Sequence, residues 1–406
     1  MTGFSHSVVH ADALPEVDVF SDAYATDPRT ILDRARKESP LVRTQRGVEA
    51  IAYPHCQAVY RDDRLAVGQR ELFEKGGLGG TRFASTFVRN LNNSEGEDHA
   101  RLRAVVGPSF TPQTVERLRA TTRDLIESWL DEAGEQEEFD FMDTVADRLP
   151  AAVFCLILGA PVEDAARVGR LSYSMTKMFL ADPASRDEIL TTFGELEDYA
   201  GELLERRRQE PADDVLSALV AGEREGQLTS TDSVTMVLLM LTGSTDTTAS
   251  QLAHVMIALA LHPDQYAILR AQPEPMTPKV MELARFAPGV WATARTAYEP
   301  IEFQGVAIEA GTQIWSNVVA ANSDPEAFTD PRRLDLEARR RNPPLNWGLG
   351  VHFCLGRFLA TLELEEVLRA ITRRWAEFEL VGEPRLEGIP TLVSPRGVRL
   401  RYRAAA

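Results

Sequence analysis

Leu345-Asn346-Trp347-Gly348-Leu349-Gly350-Val351-His352-Phe353-Cys354-Leu355-Gly356-Arg357-Phe358-Leu359-Ala360 is a glycine-rich loop that runs directly into an apolar-periodic helix. Its two early glycines let the backbone turn tightly and direct N–H groups at an anion. A helix beginning just past Cys354 brings the positive end of its dipole there, which favours thiolate over thiol. The loop is built to aim one sulfur. From these residues alone that sulfur is a nucleophile, a zinc, haem or cluster ligand, or a structural thiol.

The other cysteines narrow the choice. Cys56 and Cys155 form no C-x-x-C pair with it, and zinc or iron-sulfur centres usually need about four soft ligands. A thiol hydrolase stays open, because His352 or a distant histidine would serve as its base. Cys155, within Val153-Phe154-Cys155-Leu156-Ile157, reads as a small core hydrophobe. An odd, sparse set of thiols fits a reducing cytoplasm better than a disulfide framework.

With 406 residues and no linker, repeat or low-complexity tract, the chain is expected to be a single domain over 1–406. Its β-rich N-terminal portion and α-rich lobe are not read as independent. A formal charge of −17 argues against a nucleic-acid or anionic-membrane partner. The first thirty residues lack the basic start and apolar stretch of a signal peptide. Apolar runs such as Met236 to Leu241 fall far short of the ~20 residues that span a bilayer. A cytoplasmic protein with no membrane partner is expected. Only four of the 44 basic residues are lysine, a bias that points to a G+C-rich, bacterial source.

Alternation on either side of Gly47 (Leu41 to Arg43, Val48 to Ala52) predicts a hairpin. Further β signals lie at Ile301 to Ile308 and Val398 to Tyr402. Helical periodicity covers roughly 113–133, 141–158, 187–209 and 263–271. The longest helical pattern starts near Ser230-Thr231-Asp232, suited to N-capping, and runs to His262-Pro263. At 1.5 Å per residue it would extend ~48 Å. Its middle, Thr242-Gly243-Ser244-Thr245-Asp246-Thr247-Thr248, weakens a helical ladder, so a kink or local opening is expected there. The chain therefore reads as mainly α with small peripheral β-sheets.

Trp347-Gly348-Leu349-Gly350-Val351-His352-Phe353-Cys354-Leu355-Gly356, followed by Leu359-Ala360, resembles the haem-binding signature of the cytochrome P-450 superfamily, F-G-x-G-x-H-x-C-x-G before L-A. Trp347 replaces the usual phenylalanine. Other matches follow in the family's order. Glu282-Leu283-Ala284-Arg285 resembles E-x-x-R, and Phe328 to Leu334 resembles F-x-D-P-x-R-F with leucine for the last phenylalanine. Independently, Glu282 and Arg285 share a helix face. Within the resemblance, Arg333 completes their buried charge network. His99 and Arg103 resemble the H-x-x-x-R pair that binds a haem propionate, and i, i+4 spacing puts both on one side. Arg295 and His352 match two further propionate donors.

The resemblance extends to Gly243-Ser244-Thr245-Asp246-Thr247-Thr248, similar to A-G-x-[DE]-T-[ST], in which an acid and an alcohol deliver protons to bound dioxygen. Gly243 and Ser244 depart from that pattern. A register with Thr242-Gly243 as the A-G pair needs an inserted residue, whereas the ungapped one keeps Asp246-Thr247 intact. Gly76-Gly77-Leu78-Gly79-Gly80-Thr81 lacks the phosphate-loop order and reads as a mobile loop.

The resemblance implies the P-450 fold, with a long central helix over haem b, and Cys354 as thiolate ligand of the iron. Trp347, Gly348, His352 and Gly356 would contact the cofactor, beside His99, Arg103 and Arg295. Asp246 and Thr247 would be catalytic. It implies insertion of one oxygen atom of O2 into a small, apolar organic substrate, with electrons from a separate ferredoxin and ferredoxin reductase docking near Arg357 and Arg339-Arg340-Arg341. Substrate regions carry over as Phe87, Met178, Phe179, Met240, Gly243, Val290, Trp291, Thr293, Leu392 and Val393, some of which read equally well as core. A monomer is expected. The alternatives are a peroxide-driven haem-thiolate enzyme, which would often lack the Asp-Thr pair, and a non-catalytic haem-binding scaffold.

Overall fold

The computed structural model describes residues 9–134 and 138–405. It is mainly α with small sheets, as expected, and its contacts divide it into two compact units between which the chain passes repeatedly.

The first unit takes in residues up to 68, then 281–354 and 390–393. The expected hairpin forms between Leu41–Thr44 and Gly47–Ala50 and opens a five-stranded sheet. Gly47–Ala50 pairs in parallel with Gln313–Asn317, which pairs antiparallel with Ala292–Ala297 and so fixes Arg295 opposite Ile314. The second β signal is a separate hairpin, Ile301–Phe303 with Val306–Ile308. Its two-residue turn holds Gln304 and Gly305 at positive φ, a conformation that suits the right-handed twist of the strands. Beneath the large sheet, helix Tyr53–Arg61 packs Tyr53, Cys56 and Tyr60 into a core with Ile314, Phe328 and Leu345.

The second unit, 69–280 with 355–389 and 394 onward, is mostly helical. Helix Arg186–Gln209 matches its pattern to one residue. Helix Arg357–Arg374 packs on Arg119–Ala133. The third β signal, Arg399–Ala404, pairs with Trp375–Leu380 and Glu138–Asp140.

Two helical patterns are interrupted. The stretch expected at 141–158 is a wide π turn, Met142–Ala146, followed by helix Leu149–Leu158. Pro150 has no N–H to give to the carbonyl four residues back, so a new helix starts there. The 113–133 pattern divides into Pro112–Glu116 and Arg119–Ala133.

The long central helix opens where its composition weakens it, into Ser230–Gly243 and Asp246–Leu261. Its cap falls on Thr229, one residue before the expected start, with Thr229 and Asp232 satisfying each other's N–H in a capping box. Near the break Thr242 Oγ1 donates to Leu238 O (2.9 Å), a back-bond that competes with the helical ladder. Among the described residues no helix is long and apolar enough to cross a membrane.

Candidate functional site

Cys354 is the exposed cysteine, while Cys56 and Cys155 are buried. Burial pushes both buried thiols up to about 12, so neither is a ready thiolate. Cys56 also donates from Sγ to Ala50 O (3.0 Å). Around Cys354 the loop closes on itself. Cys354 N–H donates to Trp347 O (3.0 Å), Phe353 N–H to Gly350 O (3.2 Å), and Gly348 N–H to Leu345 O (3.0 Å). Gly348 and Gly350 have φ of 67° and 73°, where glycine is favoured. A Cβ on Gly350 would lie 2.6 Å from Tyr60 O, and one on Gly348 would lie 3.4 Å from the Tyr60 ring. The tight loop is therefore seated on helix Tyr53–Arg61.

A buried network braces its entrance. Glu282 and Arg285 lie on one face of helix Met276–Phe286 and meet as a forked pair at 2.8 and 2.7 Å. Arg285 also donates to the carbonyls of Asn322, Pro331 and Arg333. The Asn322 side chain then holds the loop, accepting from Leu345 N–H (2.9 Å) and donating to Asn346 Oδ1 (2.8 Å). Asn346 returns a bond to Ala284 O on the Glu282 helix. The expectation for Arg333 is corrected here: its side chain is exposed, and only its carbonyl enters the network. Arg340 supplies the second guanidinium, donating to both Glu282 oxygens at 3.0 and 2.8 Å. Burial raises the Glu282 carboxyl, yet the bonds from Arg285 and Arg340 outweigh it and leave it below the usual range. The commitment to Glu282 also removes Arg340 from the expected docking cluster, where Arg339 and Arg341 remain exposed.

Arg295 is buried in strand Ala292–Ala297, its guanidinium 5.6 Å from the Tyr60 ring, and Thr293 shares a 2.8 Å hydrogen bond with the Tyr60 hydroxyl. Four expected substrate residues come together ahead of this strand. Val290 bridges Leu392, Trp291 N–H donates to Thr391 O (2.8 Å), and Trp291 and Val393 share a core. Arg46 anchors that turn through Pro390 O and Thr391 Oγ1.

In the helical unit, Asp246 and Thr247 open the second half of the central helix. Thr247 Oγ1 donates to Gly243 O across the break (3.2 Å). Asp246 touches a cavity of about 580 Å³ that is also lined by Trp129, Asp147, Tyr173, Thr245 and Arg396. Burial pushes its carboxyl up to about 6; Arg396 pulls it down and Asp147 pushes it further up. Arg396 is already forked onto Asp147 at 2.9 and 2.8 Å, so Asp246 receives only part of its charge. The Asp246 bond from Thr245 is long, 3.5 Å.

His99 is buried and Arg103 half-buried in helix Gly96–Val106. Arg101 between them turns the other way, to Asp98 and Asp232, which leaves Arg103 on the His99 side. Phe87 is buried in an aromatic cluster with Phe73 and Phe83, and Phe193 packs edge-on to Phe83. Met178 and Met240 are buried, whereas Phe179 and Gly243 are exposed. The segment expected as a mobile loop at 76–81 is a turn between helices Arg70–Lys75 and Arg82–Phe87.

The chemistry around Cys354 suits a thiolate-ligated haem, with one exposed thiol on a close-packed glycine loop. Asn322, Tyr60, Asp147 and Arg396 escaped the sequence reading, and Arg340 was assigned there to docking instead of to the brace. Only Asn346, beside the loop, pointed locally toward such a brace.

Residues 78–273 and 275–387 match the family described as Cytochrome P450. Luteothin monooxygenase of Streptomyces thioluteus is 33% identical over 396 residues, 97% of either chain. 6-Deoxyerythronolide B hydroxylase of Saccharopolyspora erythraea is 34% identical over 296 residues, 72% of either chain. The solved structure of epothilone B-bound cytochrome P450epoK is 26% identical, with a TM-score of 0.88 over 95% of this chain and 99% of that one.

Proposed function

The chain belongs to the cytochrome P450 family, and from that premise we propose that it is a haem b monooxygenase that hydroxylates or otherwise oxygenates an apolar secondary metabolite. When bound through Cys354 Sγ, haem supplies dioxygen activation and transfer of one oxygen atom to substrate, the second leaving as water. The observation that carries the reading is the placement of Cys354. It is the exposed thiol, its loop is closed by the Cys354 to Trp347 bond, and the Glu282 network stands behind it.

The remaining roles belong to the chain's own side chains. His99, Arg103, Arg295 and His352 are cationic or hydrogen-bonding donors for two propionate carboxylates. Asp246, with its carboxyl near 6, holds or releases a proton close to neutral pH. Thr247 Oγ1 exchanges its bond to Gly243 O for one to a neighbouring water or oxygen, passing that proton on. Trp291, with Val290, Leu392 and Val393, forms an apolar wall suited to excluding water from the substrate.

The relatives' names refer to luteothin and 6-deoxyerythronolide B, and a similar structure holds epothilone B. These support a substrate of that broad kind. Electrons come from a separate ferredoxin with its reductase, and the enzyme works as a cytoplasmic monomer. The Asp246-Thr247 pair favours dioxygen over peroxide as oxidant.

The test is the absorbance of the reduced, carbon monoxide-bound protein. A band at about 450 nm is expected, and Cys354→Ala should abolish it. A folded, haem-loaded wild type without that band overturns the assignment. Turnover with peroxide alone, and none with a ferredoxin and its reductase, would overturn the dioxygen reading.

A further inference from the structure

Helix Tyr53–Arg61 has no catalytic residue, yet it meets the thiol loop at two points. Tyr53 and Tyr60 are seven residues apart, which puts them on one helix face two turns from each other. Tyr53 fixes the approach to the loop: its hydroxyl donates to Pro343 O (2.8 Å) and its ring packs edge-on against Phe328. Its own N–H is fixed by Asp324 Oδ2 (2.7 Å). Tyr60 lies under the loop itself, where its backbone carbonyl leaves no room for a side chain at 350 and its ring comes within contact distance of position 348.

The same Tyr60 reaches the strand that carries Arg295. Its hydroxyl shares a hydrogen bond with Thr293 Oγ1, and its ring faces the Arg295 guanidinium. At 7% exposure the phenol is held on both sides. The thiol loop and the arginine strand are far apart in sequence and both meet Tyr60, the loop at its carbonyl and ring edge, the strand at its hydroxyl and ring face.

We infer that Tyr60 is a positioning residue that sets Cys354 and Arg295 in a common register, so that thiolate and propionate donor meet one haem together. This rests on the haem-thiolate reading above. A phenylalanine would keep the ring against Gly348 and Arg295 but lose the anchor at Thr293. A leucine would lose both.

The holoenzyme tests this through haem retention and the state of the thiolate. Haem loss to an excess of an apoprotein acceptor is timed, and the bands of the reduced carbon monoxide complex at about 450 and about 420 nm are compared. Tm by circular dichroism is followed alongside. Tyr60→Phe and Thr293→Val should each speed haem loss about threefold, the order expected for one hydrogen bond, with Tm nearly unchanged. The double variant should lose haem no faster than Tyr60→Phe alone, because that variant already removes the bond that Thr293→Val removes. Tyr60→Leu should lose haem at least about tenfold faster and shift toward the 420 nm band.

The inference is overturned if Tyr60→Phe and Thr293→Val act additively, or leave haem loss and band position at wild-type values. It is equally overturned if both merely lower Tm while folded holoprotein keeps normal haem loss. These single variants decide the matter even if Tyr60→Leu does not fold. A wild type lacking the 450 nm band would instead refute the haem-thiolate reading, which separates the two failures.

Discussion

Glu282 and Asp246 are both carboxylates taken largely out of water, and their surroundings drive them in opposite directions. Glu282 accepts four bonds from two guanidiniums and one from the Asp335 N–H. It is held charged below the usual range. Asp246 has a long bond from Thr245, weak help from Thr176 and a guanidinium already committed to Asp147, and its carboxyl rises to about 6. Complete pairing makes a permanent charge that suits a brace. Incomplete pairing makes a carboxyl that changes state near neutral pH, which suits proton transfer.

The widest separation between the two should come from removing each charge while keeping the shape. Glu282→Gln leaves Arg285 buried without its counter-charge, a change that costs about 3–5 kcal/mol in comparable pairs. Denaturant unfolding should show that loss, together with a fall in haem-loaded protein. A cost under about 1 kcal/mol would break the comparison at its structural end. Asp246→Asn should do the reverse, cutting product formation about a hundredfold with no loss of stability at neutral pH.

The sign of the pH effect follows from the direction of the shift. Asp246 goes from an ordinary 3.8 when unfolded to about 6 when folded, so the unfolded chain gives up its proton first. Stability from this group is present below 3.8 and is lost as pH rises toward about 6. Asp246→Asn should flatten that part of the stability profile. An unchanged slope would mean that Asp246 is not the group responsible.

A smaller effect should separate Asp246 from its neighbours. Arg396 is the cation that pulls the Asp246 carboxyl down, with Asp147 opposing it. Arg396→Gln should therefore move the apparent pKa of product formation upward from about 6, while leaving the 450 nm band in place. An unchanged or lower value would show that Arg396 is not what pulls the Asp246 carboxyl down.

Sequence legibility tracks the same contrast. The thiol loop was readable because its chemistry is contiguous, with two glycines, a histidine and a cysteine in one short stretch. Glu282 and Arg285 were readable because one helix face carries both. The break at Ser244–Thr245 is foreseeable from a glycine and hydroxyl side chains in an otherwise apolar helix, whereas the wide turn before Leu149 is hidden because the apolar pattern of 141–158 runs on through Pro150. The partners of Asp246 were not readable at all. Arg396 and Asp147 come from a late strand and from the end of the π turn, and no local period links them to the central helix.

Arg333 and Arg340 are the finest test, because the family motif pointed to one and the structure uses the other. Both lie in an irregular stretch without periodicity, so spacing cannot say which guanidinium turns inward. Arg333 gives the network its carbonyl, which any residue retains. Arg333→Ala should stay within about 0.5 kcal/mol of wild type. Arg340→Ala removes two bonds from Glu282 and one to Thr329 O, but leaves the Arg285 fork intact. Its cost should lie between those of Arg333→Ala and Glu282→Gln, about 1–2 kcal/mol in denaturant unfolding. Equal costs for the two arginine variants would mean that the second charge contributes nothing to the brace, and that Arg285 alone keeps Glu282 ionised.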